Sequence, residues 1–136
     1  MKKKKRSKEI EKMIQVENIF TWECHRKLTA KEIAKRVGMD VEELKLTYRK
    51  WSSRSLHSGL TFVRMQQARL LLEKADRSIH SIAAEVGYTN TQSFSQQFKR
   101  MFEYSPREYR KIYYPLPTAS EKETTPPKRK RIKRAR

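Results

Sequence analysis

The chain has 136 residues, enough for one domain or two very small ones, and sets 33 Lys+Arg against 15 Asp+Glu for a formal net charge of +18. Such an excess calls for a polyanionic partner, either nucleic acid or an anionic membrane surface. No run approaches the ~18 apolar residues of a membrane span, no apolar signal core follows the basic N-terminus, and the lone Cys24 excludes an intrachain disulfide and suits a reducing compartment.

With three glycines and 10% aromatic residues, the composition favours a helical fold over a strand-rich one. Residues 1–8 hold six positive charges (Lys2, Lys3, Lys4, Lys5, Arg6 and Lys8) and read as a mobile, solvated basic arm. Glu9 to about Cys24 reads as a first helix, with Ile10, Met13, Ile14 and Phe20 as its apolar stripe. Thr29 followed by Glu32 is a capping box that opens a short helix with Ile33, Ala34 and Val37 inward, and Gly38 ends it. Asp40, with Glu43 three residues later, caps another helix through Trp51, on which Leu44, Tyr48 and Trp51 are expected inside. From Ser55 to about Ala75 the pattern predicts one long helix with Leu60, Val63, Ala68, Leu71 and Leu72 apolar. Some 20 residues at about 1.5 Å each span roughly 30 Å, close to the ~34 Å between successive major-groove segments on one face of a duplex.

The stretch from Ser78 to Lys99 repeats the earlier pattern. Ser78 is a cap candidate, Ile79, Ile82, Ala83 and Val86 are apolar at helical spacing, and Gly87 sits where the chain needs a left-handed residue. Thr89 with Gln92 is a capping-box pair for the next helix, on which Phe94, Phe98 and Met101 share one face. The opposite face carries Gln92, Gln96 and Lys99, with Ser95 and Arg100 beside it. Gln can pair bidentately with adenine, and Lys can reach guanine or phosphate. Asn90 and Thr91, at the start of this helix, are candidates for weaker base contacts. Ser105–Pro106–Arg107–Glu108 starts a last helix through about Tyr113, which Pro115 and Pro117 stop.

The repetition is internal and detailed. Ile33–Ala34–x2–Val37–Gly38 returns as Ile82–Ala83–x2–Val86–Gly87, 49 residues on, and Leu44–x3–Tyr48–Arg49–Lys50 returns as Phe94–x3–Phe98–Lys99–Arg100, 50 residues on. The repeated unit is helix–turn–helix, with its second helix as the reader. On the first reader, Lys45, Arg49 and Lys50 are candidate DNA contacts, with Glu42 and Leu46 as weaker ones. Glu42 and Glu43 can favour their helix N-terminus by about 0.3–1 kcal/mol each through the dipole. Alternatively, Glu42 can accept from cytosine N4 and Leu46 can touch a thymine methyl. The first copy is therefore expected mainly to position, and the second to specify.

The ends differ from the middle in composition. Residues 115–125 contain Pro, Ser and Thr and are expected to stay unpacked, and residues 128–136 place seven Lys/Arg in nine positions. Residues 1–8 and 115–136 each contribute +6, which leaves +6 on the rest. Phosphate-tracking arms and simple solubility both fit such ends. No phosphate-binding glycine loop or nucleophile motif is present, and His25, His57, His80 and Cys24 show no metal-site spacing, so neither catalysis nor a cofactor or metal is expected.

From Arg64 to Lys111 the motifs combine as Arg64–x3–Ala68–x2–Leu71–Leu72, Ile79–x2–Ile82–Ala83–x2–Val86–Gly87–Tyr88, Phe94–x3–Phe98–Lys99 and Ser105–Pro106–x–Glu108–Tyr109–Arg110. This combination resembles the AraC/XylS-type transcription regulators, over roughly residues 15–112. The resemblance implies an all-α domain of seven helices at residues 9–114. Its two helix-turn-helix motifs, at about 30–51 and 78–102, would be joined by a linker helix at about 55–75 between basic disordered tails. It implies a bacterial, cytoplasmic, nucleoid-associated activator that binds double-stranded DNA as a monomer at an asymmetric site and contacts RNA polymerase. The ligand-sensing domain of larger members is not expected within these 136 residues. Two departures stand out: Ser53 and Glu103 occupy places where the family usually has glycine. A basic architectural nucleic-acid-binding protein and a polymerase-binding adaptor are the other readings.

Overall fold

The computed structural model describes residues 2–115, which form seven helices and, among the described residues, no strand. In order these are α1 (Lys2–Glu23), α2 (Ala30–Val37), α3 (Val41–Ser52), α4 (Leu56–Leu71), α5 (Ile79–Glu85), α6 (Thr91–Phe102) and α7 (Pro106–Tyr113). Two compact units result: residues up to Gln67 with Glu85–Gly87, and Ala68–Ala84 with the residues from Tyr88 onward. The basic run at 128–136 lies outside the described residues.

In the first unit, α1 begins at Lys2 rather than Glu9, so the expected basic arm is part of the helix. Lys and Arg are good helix formers, and only Ser7 interrupts them with a weaker propensity. Its buried stripe is Met13, Val16, Ile19 and Phe20, whereas Ile10 and Ile14, expected inside, are 42% and 49% exposed. Both sets obey helical spacing, and the partner decides between them. Phe20 meets the edge of Tyr48 with ring centroids 5.9 Å apart, and the Tyr48 hydroxyl donates to Glu17 Oε2 at 2.6 Å. Burial, and then the bond to the Glu17 carboxylate, push the Tyr48 phenol well above its ordinary pKa.

Helix α2 is capped at Thr29, whose Oγ1 accepts from Glu32 N–H at 3.1 Å. The Glu32 carboxylate does not close the expected box; it takes Arg26 at 3.1 Å instead. Gly38, at φ 72°, ends α2, and Met39 N–H returns to Ala34 O at 2.9 Å. Asp40 is the N-cap of α3 but makes no side-chain cap bond. Leu44 and Tyr48 are its buried residues, while Trp51, expected inside, is 40% exposed beside Tyr48. Gly59 on α4 lies so close beneath Tyr48 that a Cβ there would fall 2.7 Å from Cζ and 2.9 Å from Cε1. Further along α4, Arg64 donates from Nε to Cys24 O and from Nη2 to Arg26 O, both at 2.9 Å, just past the end of α1.

The linker helix is shorter than the pattern predicts, ending at Leu71 rather than near Ala75, with Leu60, Met65 and Ala68 buried along it and Leu72 buried just past its end. In the second unit, Ser78 Oγ accepts from Ser81 N–H at 3.0 Å to start α5. Gly87, which clusters with the first unit, has φ 97° and makes the turn after α5. The cap of α6 is Asn90 rather than Thr89, with Oδ1 accepting from Ser93 N–H at 2.9 Å; asparagine is the stronger cap of the two. Phe94 and Phe98 are fully buried, Phe94 against Tyr88 at 5.6 Å and Phe98 against Tyr109 at 5.5 Å. Helix α7 opens with a complete capping box between Ser105 and Glu108, with Pro106 in its first turn. Arg110 donates from Nε to Leu72 O and from Nη2 to Lys74 O, both at 3.0 Å.

Candidate nucleic-acid interface

Helices α3 and α6 are built alike. Each has 12 residues, and each ends on a non-glycine residue in the left-handed region, Ser53 at φ 66° and Glu103 at φ 72°. The N–H of each returns one turn back, to Arg49 O and Lys99 O, at 2.8 Å in both. The matching bounds extend the correspondence along both helices. Leu44 and Tyr48 anchor α3 where Phe94 and Phe98 anchor α6.

Burying those anchors turns the opposite row to solvent. On α3 the row is Glu42, Leu46 and Arg49; on α6 it is Gln92, Gln96 and Lys99; all six are exposed. Lys45, Lys50 and Arg100 are exposed beside these rows, and Ser95 is half-buried. Every candidate contact on the two readers is thus on or beside an outward face. Arg100 lies near Gln97, with Nη1 at 3.4 Å from Oε1.

The two faces differ in charge. Along α6, Lys99 and Arg100 are the charged residues before Glu103, whereas α3 sets Lys45, Arg49 and Lys50 against Glu42 and Glu43 in its first turn. Elsewhere in the first unit, Arg26 and Arg36 are taken up by internal ion pairs. Glu23 takes both Arg36 nitrogens at 2.8 Å and Arg26 at 2.7 Å, and Arg26 also reaches Glu32 at 3.1 Å. The Arg36 hydrogen bonds, reinforced by Arg26, hold the Glu23 carboxyl down at about 2. Those two guanidiniums are therefore poorly placed to meet a phosphate.

The two weaker candidates at the head of α6 have other work. Asn90 spends its carbonyl oxygen on the cap, and Thr91 Oγ1 lies 2.8 Å from His80 Nδ1 on α5. The contact of His80 with Thr91 is not among the pairings that metal-ligand spacing of the histidines would reveal. The available signal was the place of His80 on the short helix before the turn, with Thr91 just beyond that turn.

The model for the helix-turn-helix domain matches residues 33–112. The chain belongs to the AraC/XylS-type helix-turn-helix family. Among its relatives, the Msm operon regulatory protein of Streptococcus mutans serotype c is 32% identical over 97 residues, covering 71% of this chain and 35% of that protein. Regulatory protein SoxS of Escherichia coli K12 is 26% identical over 98 residues, covering 70% of this chain and 92% of SoxS. This AraC/XylS-type chain thus spans about a third of the Streptococcus protein's length. In fold it is similar to the DNA-binding domain of AdpA, a global transcriptional factor solved with a target DNA. That similarity has a TM-score of 0.70 at 24% identity and covers 74% of this chain and 91% of that one.

Proposed function

We propose that the chain is a sequence-specific regulator of transcription that places α3 and α6 in successive major grooves of double-stranded DNA. The observation that carries this reading is the pair of equal helices, each anchored by two buried side chains and each presenting a three-residue row to solvent. Gln92, Gln96 and Lys99 are base-reading side chains; Arg49 within the α3 row, and Lys45, Lys50, Ser95 and Arg100 beside the rows, suit phosphates and groove edges. Membership of the AraC/XylS-type family and the likeness to a domain solved with its target DNA support it.

The two rows carry unlike chemistry, so the preferred site has no two-fold symmetry and the chain binds it as a monomer in one orientation. A fixed orientation suits a directional contact with RNA polymerase, and hence activation. The basic ends add affinity through phosphate contacts, which carry no sequence information.

The test is binding to a preferred duplex, selected from random DNA, and to a random duplex at two salt concentrations. Gln92→Ala or Gln96→Ala is expected to cost about 1–3 kcal/mol at one position of the preferred duplex and to leave random binding nearly intact. Removing residues 118–136, a net +6, is expected to make the salt dependence shallower by about 0.9 per lost phosphate contact without changing the preferred sequence. Equal loss on both duplexes would overturn the assignment. It would favour an architectural nucleic-acid-binding protein, the reading suggested by two thirds of the net charge lying at the ends.

A further inference from the structure

The first reader has a row in the same place as the second, but filled with different chemistry. Glu42, Leu46 and Arg49 occupy on α3 the positions that Gln92, Gln96 and Lys99 occupy on α6, set by equal helix lengths, equivalent anchors and matching C-caps. Leu46 is 64% exposed in the middle of that row, a large aliphatic side chain held in water by a helix whose apolar needs are met by Leu44 and Tyr48. Glu42 is exposed one turn before it and, among the described residues, enters no ion pair.

The helix dipole accounts for an acid in the first turn of α3, and Glu43 meets that need. It does not account for Leu46. Neither residue attracts phosphate, so a row of pure positioning contacts would gain nothing from either. Both have a partner on a base edge: an aliphatic side chain covers the C5-methyl of thymine, and a carboxylate accepts from the N4 amino group of cytosine. A carboxylate near phosphates also costs affinity on every other sequence, which turns it into a discriminator.

We infer that Leu46 and Glu42 are specificity-determining residues, through which α3 selects a thymine methyl and a neighbouring cytosine amino group in the part of the site it occupies. This rests on the DNA-binding reading above and adds a second reading head with its own chemistry.

The experiment uses the full chain and the duplex selected from random DNA, with deoxyuridine placed for thymidine one position at a time. Deoxyuridine keeps the pairing and removes only the methyl. At one position outside the tract that depends on Gln92 and Gln96, the unaltered chain is expected to lose about fourfold in affinity, the worth of one buried carbon. Leu46→Ala is expected to show no loss there, and Leu46→Met to retain it. Glu42→Gln is expected to bind random duplex more tightly while discriminating about tenfold less against replacement of one cytosine. The inference is overturned if no deoxyuridine position outside that tract matters, or if the penalty survives Leu46→Ala. If Gln92→Ala still loses its own position, that outcome leaves the functional reading standing. Enrichment of no sequence at all would overturn both.

Discussion

Arg110 closes the end of the linker helix in the way that Arg64 closes the end of the first: each guanidinium spans two backbone carbonyls just past a helix C-terminus. Arg64 takes Cys24 O and Arg26 O, and Arg110 takes Leu72 O and Lys74 O. The duplication therefore extends beyond the helix-turn-helix motifs, since α4 ends one copy and opens the next. Helix ends leave carbonyls without partners, and a cation there also meets the negative end of the dipole. Arg64→Ala and Arg110→Ala are each expected to destabilise their unit by about 1.5–3 kcal/mol, read from urea unfolding. Lysine is expected to rescue poorly, because one ammonium lacks the planar fork that spans two carbonyls.

Gly59 is expected to invert the usual rule for a helical glycine. In an open helix, alanine would add about 0.5–1 kcal/mol of stability. Here a methyl would run into the Tyr48 ring, whose hydroxyl is fixed on Glu17. Gly59→Ala is expected to cost about 1–3 kcal/mol, the range for overpacking, measured by the denaturation midpoint. A rise in that midpoint would show that Tyr48 can move aside.

The left-handed residues that end both readers should be improvable. Ser53 and Glu103 carry a Cβ where glycine would not, and a left-handed residue with a Cβ costs about 1–2 kcal/mol. Part of that is returned as the extra freedom glycine has when unfolded. Ser53→Gly and Glu103→Gly are expected to gain about 0.5–1 kcal/mol each, seen as a higher Tm. Neither side chain is in an outward row, so sequence preference should not change.

Acid should loosen the first unit through Glu23. Its folded pKa of about 2, held down by the Arg36 hydrogen bonds and by Arg26, lies below its ordinary 4.5. The stabilisation is therefore fully present above about 4.5, and is lost as pH falls from there toward 2. Glu23→Gln is expected to flatten the fall in melting temperature across that window. Two titration-melting series, one for each chain, would show it; superimposable slopes would mean the carboxylate is uncoupled from folding.

Much of this architecture was legible because local rules and packing agree. The Ser78 and Ser105 caps, the turns at Gly38 and Gly87, and the anchors Leu44, Tyr48, Phe94 and Phe98 stand where spacing places them. What escaped was decided at a distance. Two overlapping stripes on α1 satisfy helical spacing; the buried one keeps Met13 and Phe20, which meets Tyr48, adds Val16 and Ile19, and leaves Ile10 and Ile14 exposed. Glu32 leaves its capping box because Arg26 offers an ion pair. The bonds from Arg64 and Arg110 join residues about 38 apart, which no local pattern encodes. The rows on both readers were legible as soon as the buried anchors were, because one face of a short helix fixes the other.

The aromatic residues are divided between the units in a way that gives each its own optical signature. Trp22 and Trp51 both lie in the first unit, exposed and within reach of quenchers, and Trp51 sits on the reader α3 itself. The second unit holds no tryptophan; its rings are phenylalanine and tyrosine, with Tyr109 meeting Phe98 edge-on and lying tilted beside Phe102, Tyr113 and Tyr114. Red-edge excitation therefore follows the first copy alone, and tyrosine absorbance largely follows the second. The order in which the two copies engage a duplex, or unfold, can be watched in the unlabelled chain.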